Sequence, residues 1–273
     1  MTLEHKDLSR MLETAIVAAR LAGQRAMEDL NFIKASLKNA SELVTQADIK
    51  CQQIIIERIK ETYPDHGIIA EEGTQGGIFK QPPRGDKPFW WVIDPIDGTN
   101  NYANGILLFA VSIAVMYEGQ PIVGVIFDPA TDSIFTAVKD GQAQLNGRRI
   151  TVSEKKIDKF SSIGIDSHCD NGVPGWMCEI MQRMRFQNLG ASTLQIAYVA
   201  KGSFVGSIFS RPKLWDIAAG VLLVKLAGGV VSNWQGEKIF PVDTAGYEGG
   251  EFPVIIASKK VHAELLEIVK SGL

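Results

Sequence analysis

Cysteine is scarce in this chain: Cys51, Cys169 and Cys178 are the three among 273 residues, an odd number with no C-x-x-C pair. A disulfide scaffold is thereby excluded, and a reducing compartment is expected. Excess charge of one sign is also missing, since Lys+Arg 28 stand against Asp+Glu 31 for a net −3. Bulk electrostatics therefore do not bring this protein to a phosphate backbone, and nucleic acid is not an expected partner, although a local phosphate site stays open. Long apolar runs are absent too: the longest weakly polar stretch, 105–117, falls short of the roughly 20 residues that cross a bilayer. Glu4, Lys6, Asp7, Arg10 and Glu13 break up the first twenty residues, so no basic region followed by an apolar one marks a secretion signal. The expectation is a cytoplasmic protein without membrane contact. Low-complexity linkers and internal repeats are lacking as well.

Apolar residues make up 45% and charged residues 22%, a balance that supports a large core. Dividing the length by roughly 150 residues per domain gives about 1.8, which leaves one large domain or two closely packed halves. Leu8, Met11, Leu12, Ala15, Ile16, Ala19 and Ala22 recur at steps of three and four and predict an amphipathic first helix. Thr45-x-x-Asp48 reads as a second helix start, with Ile49, Ile56 and Ile59 as its apolar stripe. Extended runs follow at 89–93, 110–117, 122–127 and 133–138, joined by Glu118-Gly119, Asp128-Pro129 and Asp140-Gly141 turns, and predict a mostly antiparallel sheet. Beyond Asn146-Gly147 the pattern alternates. Strands are expected near 162–165, 186–189, 204–209, 230–232 and 254–257, with helices near 177–184, 193–200, 216–226 and 260–269. The Pro- and Gly-rich stretch 73–88 is the one long candidate loop.

The segment Trp90-Trp91-Val92-Ile93-Asp94-Pro95-Ile96-Asp97-Gly98-Thr99-Asn100 carries most of the chemical information. A buried strand needs no acid at its end. Pro95 fixes φ and Gly98 permits a tight bend, so Asp94, Asp97 and the Ile96 carbonyl can converge on one point. Such hard oxygen donors suit Mg²⁺, and the Gly98 and Thr99 amides, opening a helix or nest, would offer donors to a phosphate beside it. The competing reading is an Asx-turn with two solvated aspartates. Glu71-Glu72 after a short apolar strand, and Asp216 at the start of an apolar helix, are each weak alone. The first reads equally as a solvated loop and the second as a first-turn acid complementing the helix dipole. His168-Cys169-Asp170 suggests a thiol nucleophile only superficially, because three sequence neighbours seldom form such a constellation.

Taken in order and spacing, Glu71-Glu72, Asp94-Pro95-Ile96-Asp97-Gly98-Thr99-Asn100 and Trp215-Asp216-Ile217-Ala218-Ala219-Gly220 resemble the signatures of the inositol monophosphatase family of Mg²⁺-dependent, lithium-sensitive phosphatases. The resemblance covers nearly the whole chain, with Lys38 and Asp48 in the region of the family's mobile metal-site loop. It implies a layered αβαβα sandwich, an α+β / α/β fold, as a single catalytic domain over 1–273 with halves at about 1–150 and 151–273. It further implies a homodimer and two to three Mg²⁺ ions per site. By position, Glu71, Asp94 and the Ile96 carbonyl would hold one ion, Asp94, Asp97 and Asp216 a second, and Glu71 would face a third. Thr99, paired with Asp48, would act on the attacking water near Glu71, while the Gly98 and Thr99 amides take phosphate oxygens. Asp97, Gly190, Ala191, Ser192 and Asp216 would contact a small phosphorylated substrate.

Two positions depart from the family pattern. Seven residues before Asp216, where relatives acting on inositol phosphates place a glutamate that binds ring hydroxyls, stands Phe209. The Gly190-Ala191-Ser192 turn permutes the family's small residues, and Gln187 stands for an arginine often found just before it. A site built for hydroxyls discriminates through its buried polar partners, so losing one relaxes or redirects specificity. Inositol monophosphate is the nominal substrate, with fructose-1,6-bisphosphate, adenosine 3′,5′-bisphosphate and histidinol phosphate as rivals. Phe209 reads equally as a core residue, with Ser210, Arg211 or Lys213 supplying contacts, although Arg211 and Lys213 read also as solvated loop charges. Trp90, Trp91 and Trp234 fit a core or an interface. A regulatory interaction module on the same fold is the second functional class, since some bacterial family members contact the transcription machinery. The intact Glu71, Asp94, Asp97 and Asp216 favour catalysis.

Overall fold

The structure, a computed structural model, describes residues 5–33, 35–38, 43–85, 88–166 and 172–272. The His168-Cys169-Asp170 triplet lies outside the described residues. The N-terminal half comprises α1 (His5–Asp29), β1 (Ala35–Leu37), β2 (Leu43–Thr45), α2 (Gln46–Thr62), β3 (Gly67–Ala70), β4 (Phe79–Gln81), β5 (Phe89–Asp97), α3 (Thr99–Ala103), β6 (Ala110–Tyr117), β7 (Gln120–Asp128), β8 (Ser133–Val138), β9 (Gln144–Leu145) and β10 (Arg148–Arg149). The remainder comprises β11 (Ser162–Ile165), α4 (Gly175–Arg183), β12 (Arg185–Gln187), α5 (Ser192–Ala200), β13 (Gly206–Phe209), α6 (Leu214–Leu226), β14 (Gly229–Asn233), β15 (Val254–Ser258) and α7 (His262–Ser271).

An eight-stranded sheet runs β10-β9-β8-β7-β6-β5-β3-β4, and a five-stranded sheet runs β12-β11-β13-β15-β14. The first is antiparallel except for the parallel pair β3–β5, as the hairpin turns of the sequence lead one to expect. Period-two alternation decides what each sheet face touches. Trp91, Ile93, Val111, Ile113 and Val125 pack with the small residues of α1 and with Cys51, Ile55 and Ile59 of α2. Their neighbours Trp90, Val92, Ala114 and Met116 face the other way, onto α5 and α6. Phe209, Val254 and Ile256 of the second sheet close that same core from the far side. Ile163, Ile208, Ile255 and Ala257 turn outward onto Trp176 and Ile180 of α4 and Leu265, Ile268 and Val269 of α7. The stack is α1/α2, sheet, α5/α6, sheet, α4/α7: the expected αβαβα sandwich. Lying between two sheets, α6 is apolar on nearly every side, with Leu214, Trp215 and Ile217–Val224 all buried.

Several expectations need correction. The stripe assigned to α2 holds at Ile59, which is buried, and in part at Ile56, which packs against the core, but fails at Ile49, which is 55% exposed; the buried face is Ala47, Asp48, Cys51, Gln52, Ile55 and Ile59. Polar Asp48 and Gln52 belong to that inner face because they serve the site described below. The stretch 73–88 is not one loop, since a 3₁₀ turn at Thr74–Gly76 and strand β4, antiparallel to β3, structure it. Trp90 and Trp91 are core residues, and Trp234 packs edge-to-face on Trp176 with ring centroids 5.7 Å apart. Phe209 is 0% exposed, which settles it as a core residue. Among the described residues, no helix is long and apolar enough to cross a membrane.

Candidate active site

Because β3 and β5 run parallel, their C-terminal ends open on the same edge, and the Glu71 amide donates to Ile93 O at 3.2 Å. Glu71 and Asp94 thus emerge side by side. Pro95 has no N–H for the ladder, so β5 continues past it only through a register shift between Asp94 and Asp97. Within that bulge Asp94 Oδ1 accepts from the Ile96 amide at 3.1 Å. The Asx-turn is therefore real, but its aspartates are buried, not solvated. The chain then turns at Gly98, φ +93°, into the short helix α3.

Asp216 arrives from the N-terminus of α6, where its Oδ2 accepts from the Lys213 amide at 2.6 Å. Carboxylate oxygens of Asp94, Asp97 and Asp216 lie within 4.8 Å of one another. Burial first, then the charges of Glu71, Asp97 and Asp216, push the Asp94 carboxyl well above the carboxylate range. Burial, Asp97 and Glu71 do the same to Asp216. Burial raises Asp97 to about 6 against donors from Thr193 and Ser192. Buried carboxylates facing one another without a counter-charge are costly. An all-oxygen donor set of this kind fits a hard divalent cation such as Mg²⁺.

Each acid also has a structural partner. Asp97 accepts from the Ser192 amide at 3.1 Å, the Thr193 amide at 2.7 Å and Thr193 Oγ1 at 2.5 Å, so it tethers the N-terminus of α5 to the cluster. Both backbone groups of Glu72 pair with the Gln52 amide, at 2.6 and 2.9 Å. Lys38 Nζ lies 3.0 Å from Glu71 Oε1 and 2.9 Å from Glu72 Oε1. Burial works against its ammonium, but the two glutamates outweigh burial and hold the proton on. Glu72 itself rises to about 7 through burial and the charge of Glu71. Asp48 is buried, its carboxyl raised by burial to about 6. Its Oδ2 closes a capping box with Thr45, accepting from the Thr45 amide at 2.9 Å and from its hydroxyl. Its Oδ1 faces Thr99 Oγ1 at 3.0 Å, and the same hydroxyl lies 3.0 Å from Ile96 O.

These groups border a cleft of about 520 Å³, a volume suited to a small phosphorylated molecule. Of the candidate site residues, Glu71, Asp97, Gly98, Thr99, Gly190, Ser192 and Asp216 line it. Asp94, Ile96 and Asp48 stand behind the lining, and the Ala191 side chain turns into the core. Gln187 is exposed on β12. Sequence reasoning missed Thr193, Gln52 and Asn101, whose Nδ2 donates to Leu108 O and Leu189 O at 2.7 Å each. Only polar residues at buried helical positions could have signalled the first two. Glu248 and Glu251 on the cleft's outer side were also missed, and nothing in their Gly-rich surroundings marks them.

The inositol monophosphatase family model matches residues 7–272. A Pseudomonas aeruginosa protein named Nus factor SuhB is 36% identical over 241 residues, covering 84% of this chain and 88% of its own. An inositol-1-monophosphatase from Mesorhizobium japonicum is likewise 36% identical over 238 residues, 84% of this chain and 87% of its own. Among solved structures, the extragenic suppressor protein suhB of Bartonella henselae superposes with a TM-score of 0.86 at 28% identity, over 97% of this chain and 100% of that one. A Thermotoga maritima IMPase superposes with a TM-score of 0.83 at 30% identity, over 96% and 97%. With its layered fold and the acidic cluster at the strand ends, the chain belongs to the inositol monophosphatase family.

Proposed function

We propose that this protein is a Mg²⁺-dependent phosphomonoesterase acting on a small polyol or sugar phosphate, nominally myo-inositol monophosphate. The observation that carries the reading is the convergence of buried Asp94 and Asp97 with half-buried Asp216 beside the Thr99–Asp48 hydroxyl–carboxylate pair. Glu71, Asp94 and the Ile96 carbonyl would hold one Mg²⁺, Asp94, Asp97 and Asp216 a second, with Glu71 facing a third. An ion held there would neutralise phosphate charge and polarise the attacking water and the leaving oxygen.

The chain's own groups supply the rest. The Gly98 and Thr99 amides take phosphate oxygens at the start of α3. Thr99 Oγ1 accepts the proton of the attacking water as its own passes to Asp48 Oδ1. The water oxygen bonds to phosphorus, the ester P–O bond breaks, and the released alkoxide takes a proton from solvent. Asp48 suits the acceptor role because burial raises its affinity for a proton. No covalent nucleophile is needed.

Phosphate release from inositol 1-phosphate, fructose-1,6-bisphosphate, adenosine 3′,5′-bisphosphate and histidinol phosphate, each with Mg²⁺ and with EDTA, tests the reading. Mg²⁺-dependent turnover of one preferred ester supports it, and no turnover of any ester in the presence of Mg²⁺ defeats it. A second role as a regulatory protein partner is suggested by relatives that carry the name Nus factor SuhB. A pull-down with Asp94→Asn separates the two, because a partner that binds independently of turnover is retained by the inactive variant.

A further inference from the structure

The core position of Phe209 leaves the cleft without the family's ring-hydroxyl acceptor, and the outer rim carries other carboxylates, Glu248 and Glu251. Segment 247–252 is stitched to segment 211–214. Tyr247 Oη accepts from the Leu214 amide at 3.0 Å and donates to Gly250 O at 2.9 Å. The Phe252 amide donates to Pro212 O at 2.9 Å, and Lys213 Nζ donates to Gly249 O at 3.0 Å. This lattice fixes Glu251 on the cleft wall that carries Asp216. Its Oε1 lies 3.2 Å from Lys213 Nζ and its Oε2 3.9 Å from Arg211 Nε, and 43% of the side chain is exposed.

We propose that Glu251, braced by Lys213 and Arg211, is the specificity-determining acceptor for the hydroxyl groups of a polyol phosphate, in place of the acceptor that Phe209 cannot provide. The inference rests on the phosphomonoesterase reading and adds to it the residue that reads the substrate's hydroxyl groups. Each carboxylate oxygen carries two acceptor sites, so one cation contact apiece leaves capacity for substrate O–H donors. Lys213 and Arg211 orient the carboxylate and donate to hydroxyl oxygens. A carboxylate flanked by cations is matched to vicinal hydroxyls, which donate and accept at once. A second phosphate is matched less well, because Glu251 and Glu248 place two carboxylates on the same rim, Glu248 paired with Lys80 at 2.7 Å, and a dianion would have to displace them from their cations.

The test compares kcat/KM for myo-inositol 1-phosphate and for phenyl phosphate, which has no hydroxyl, in the wild type and in Glu251→Gln. The variant preserves shape, and its thermal midpoint checks the fold. Loss of a hydrogen bond to a charged group predicts that the inositol-to-phenyl ratio falls about 10-fold or more, with KM for the inositol ester carrying most of the change. An unchanged ratio overturns the proposal. So does a wild-type preference for bisphosphates that strengthens in Glu251→Gln, since the two cations would then be reading a second phosphate. If the wild type hydrolyses phenyl phosphate but not the inositol ester, the polyol assignment fails while the phosphatase reading stands. If it hydrolyses neither with Mg²⁺ present, both fail.

Discussion

Thr99 and Asp48, 51 positions apart in the chain, meet at 3.0 Å between Oγ1 and Oδ1. The pairing depends on two local devices. The bend at Gly98 turns Thr99 into the first position of α3, and the capping box at Thr45 fixes Asp48 at the start of α2. Asp48 divides its oxygens between those tasks: Oδ2 holds the helix terminus and Oδ1 faces the cleft. A carboxylate locked by a cap loses little freedom when it takes up a catalytic geometry.

Thr99→Ala removes the hydroxyl proposed to act on the attacking water and leaves the carboxylate cluster intact. The expected result is a fall in kcat of about 10²–10⁴-fold with the Mg²⁺ concentration for half-maximal activity little changed. Because the two groups work as a unit, Thr99→Ala combined with Asp48→Asn should be no worse than the more damaging single variant. Additive losses in steady-state kinetics would dissolve the pair.

Asp94→Asn separates metal binding from folding. Asparagine Oδ1 can still accept from the Ile96 amide, so the bulge keeps its turn, while one of the mutually repelling buried acids disappears. Turnover should fall more than about 100-fold, since loss of a direct ligand should exceed the 10–100-fold effects of outer partners. The thermal midpoint in EDTA should be equal to or above that of the wild type, and the upward shift on adding Mg²⁺ should shrink. A variant that is destabilised in EDTA would show that Asp94 serves packing instead.

The layered fold and the acids of the cluster are legible in the sequence, for different reasons. Strand alternation in β5 to β8 and the turn dipeptides between them are local signals, so those elements fall close to their expected places. Asp94 and Asp97 stand out because a buried strand has no structural need of them. The stripe of α2 was misread because its inner face carries Asp48 and Gln52, and a hydrophobicity pattern counts such residues as outward. Those exceptions fall at the site, where function overrides local pattern. Glu251 was illegible for another reason: its meaning comes from Lys213 and Arg211, which only the folded chain sets beside it. The small residues at Ala218-Ala219-Gly220 turn out to report packing, since a Cβ on Gly220 would come within 2.5 Å of Ile196 on α5.

Gly190 tests the substrate turn. Its φ is +66°, and a Cβ there would lie 2.6 Å from Asn101 Nδ2, the atom that ties α3 to Leu189 O. Gly190→Ala should cost about 1–3 kcal/mol for the left-handed conformation, read as a lower urea midpoint. It should also raise KM more than it lowers kcat, because the turn lines the cleft and supplies neither group of the Thr99–Asp48 pair. An undiminished midpoint would mean that the turn relaxes freely and is not held by Asn101.

His262 gives a stability prediction remote from the cluster. It is buried under β14, with Nε2 3.0 Å from Ser232 Oγ, whose proton goes to Asn233 O at 2.8 Å. A neutral ring donating from Nε2 satisfies all three groups. Burial depresses the imidazole below its ordinary 6.5. Between the unfolded and the folded value the unfolded chain therefore binds the extra proton, and stability is lost as pH falls through that window. His262→Gln cannot titrate. In urea unfolding at pH 7.5 and 5.5, the advantage of the wild type over His262→Gln should be largest at pH 7.5 and shrink at pH 5.5. Other titrating groups are shared by the two proteins and cancel in the difference. A gap that stays constant across the two pH values would mean that the His262–Ser232 contact holds equally well with the ring charged.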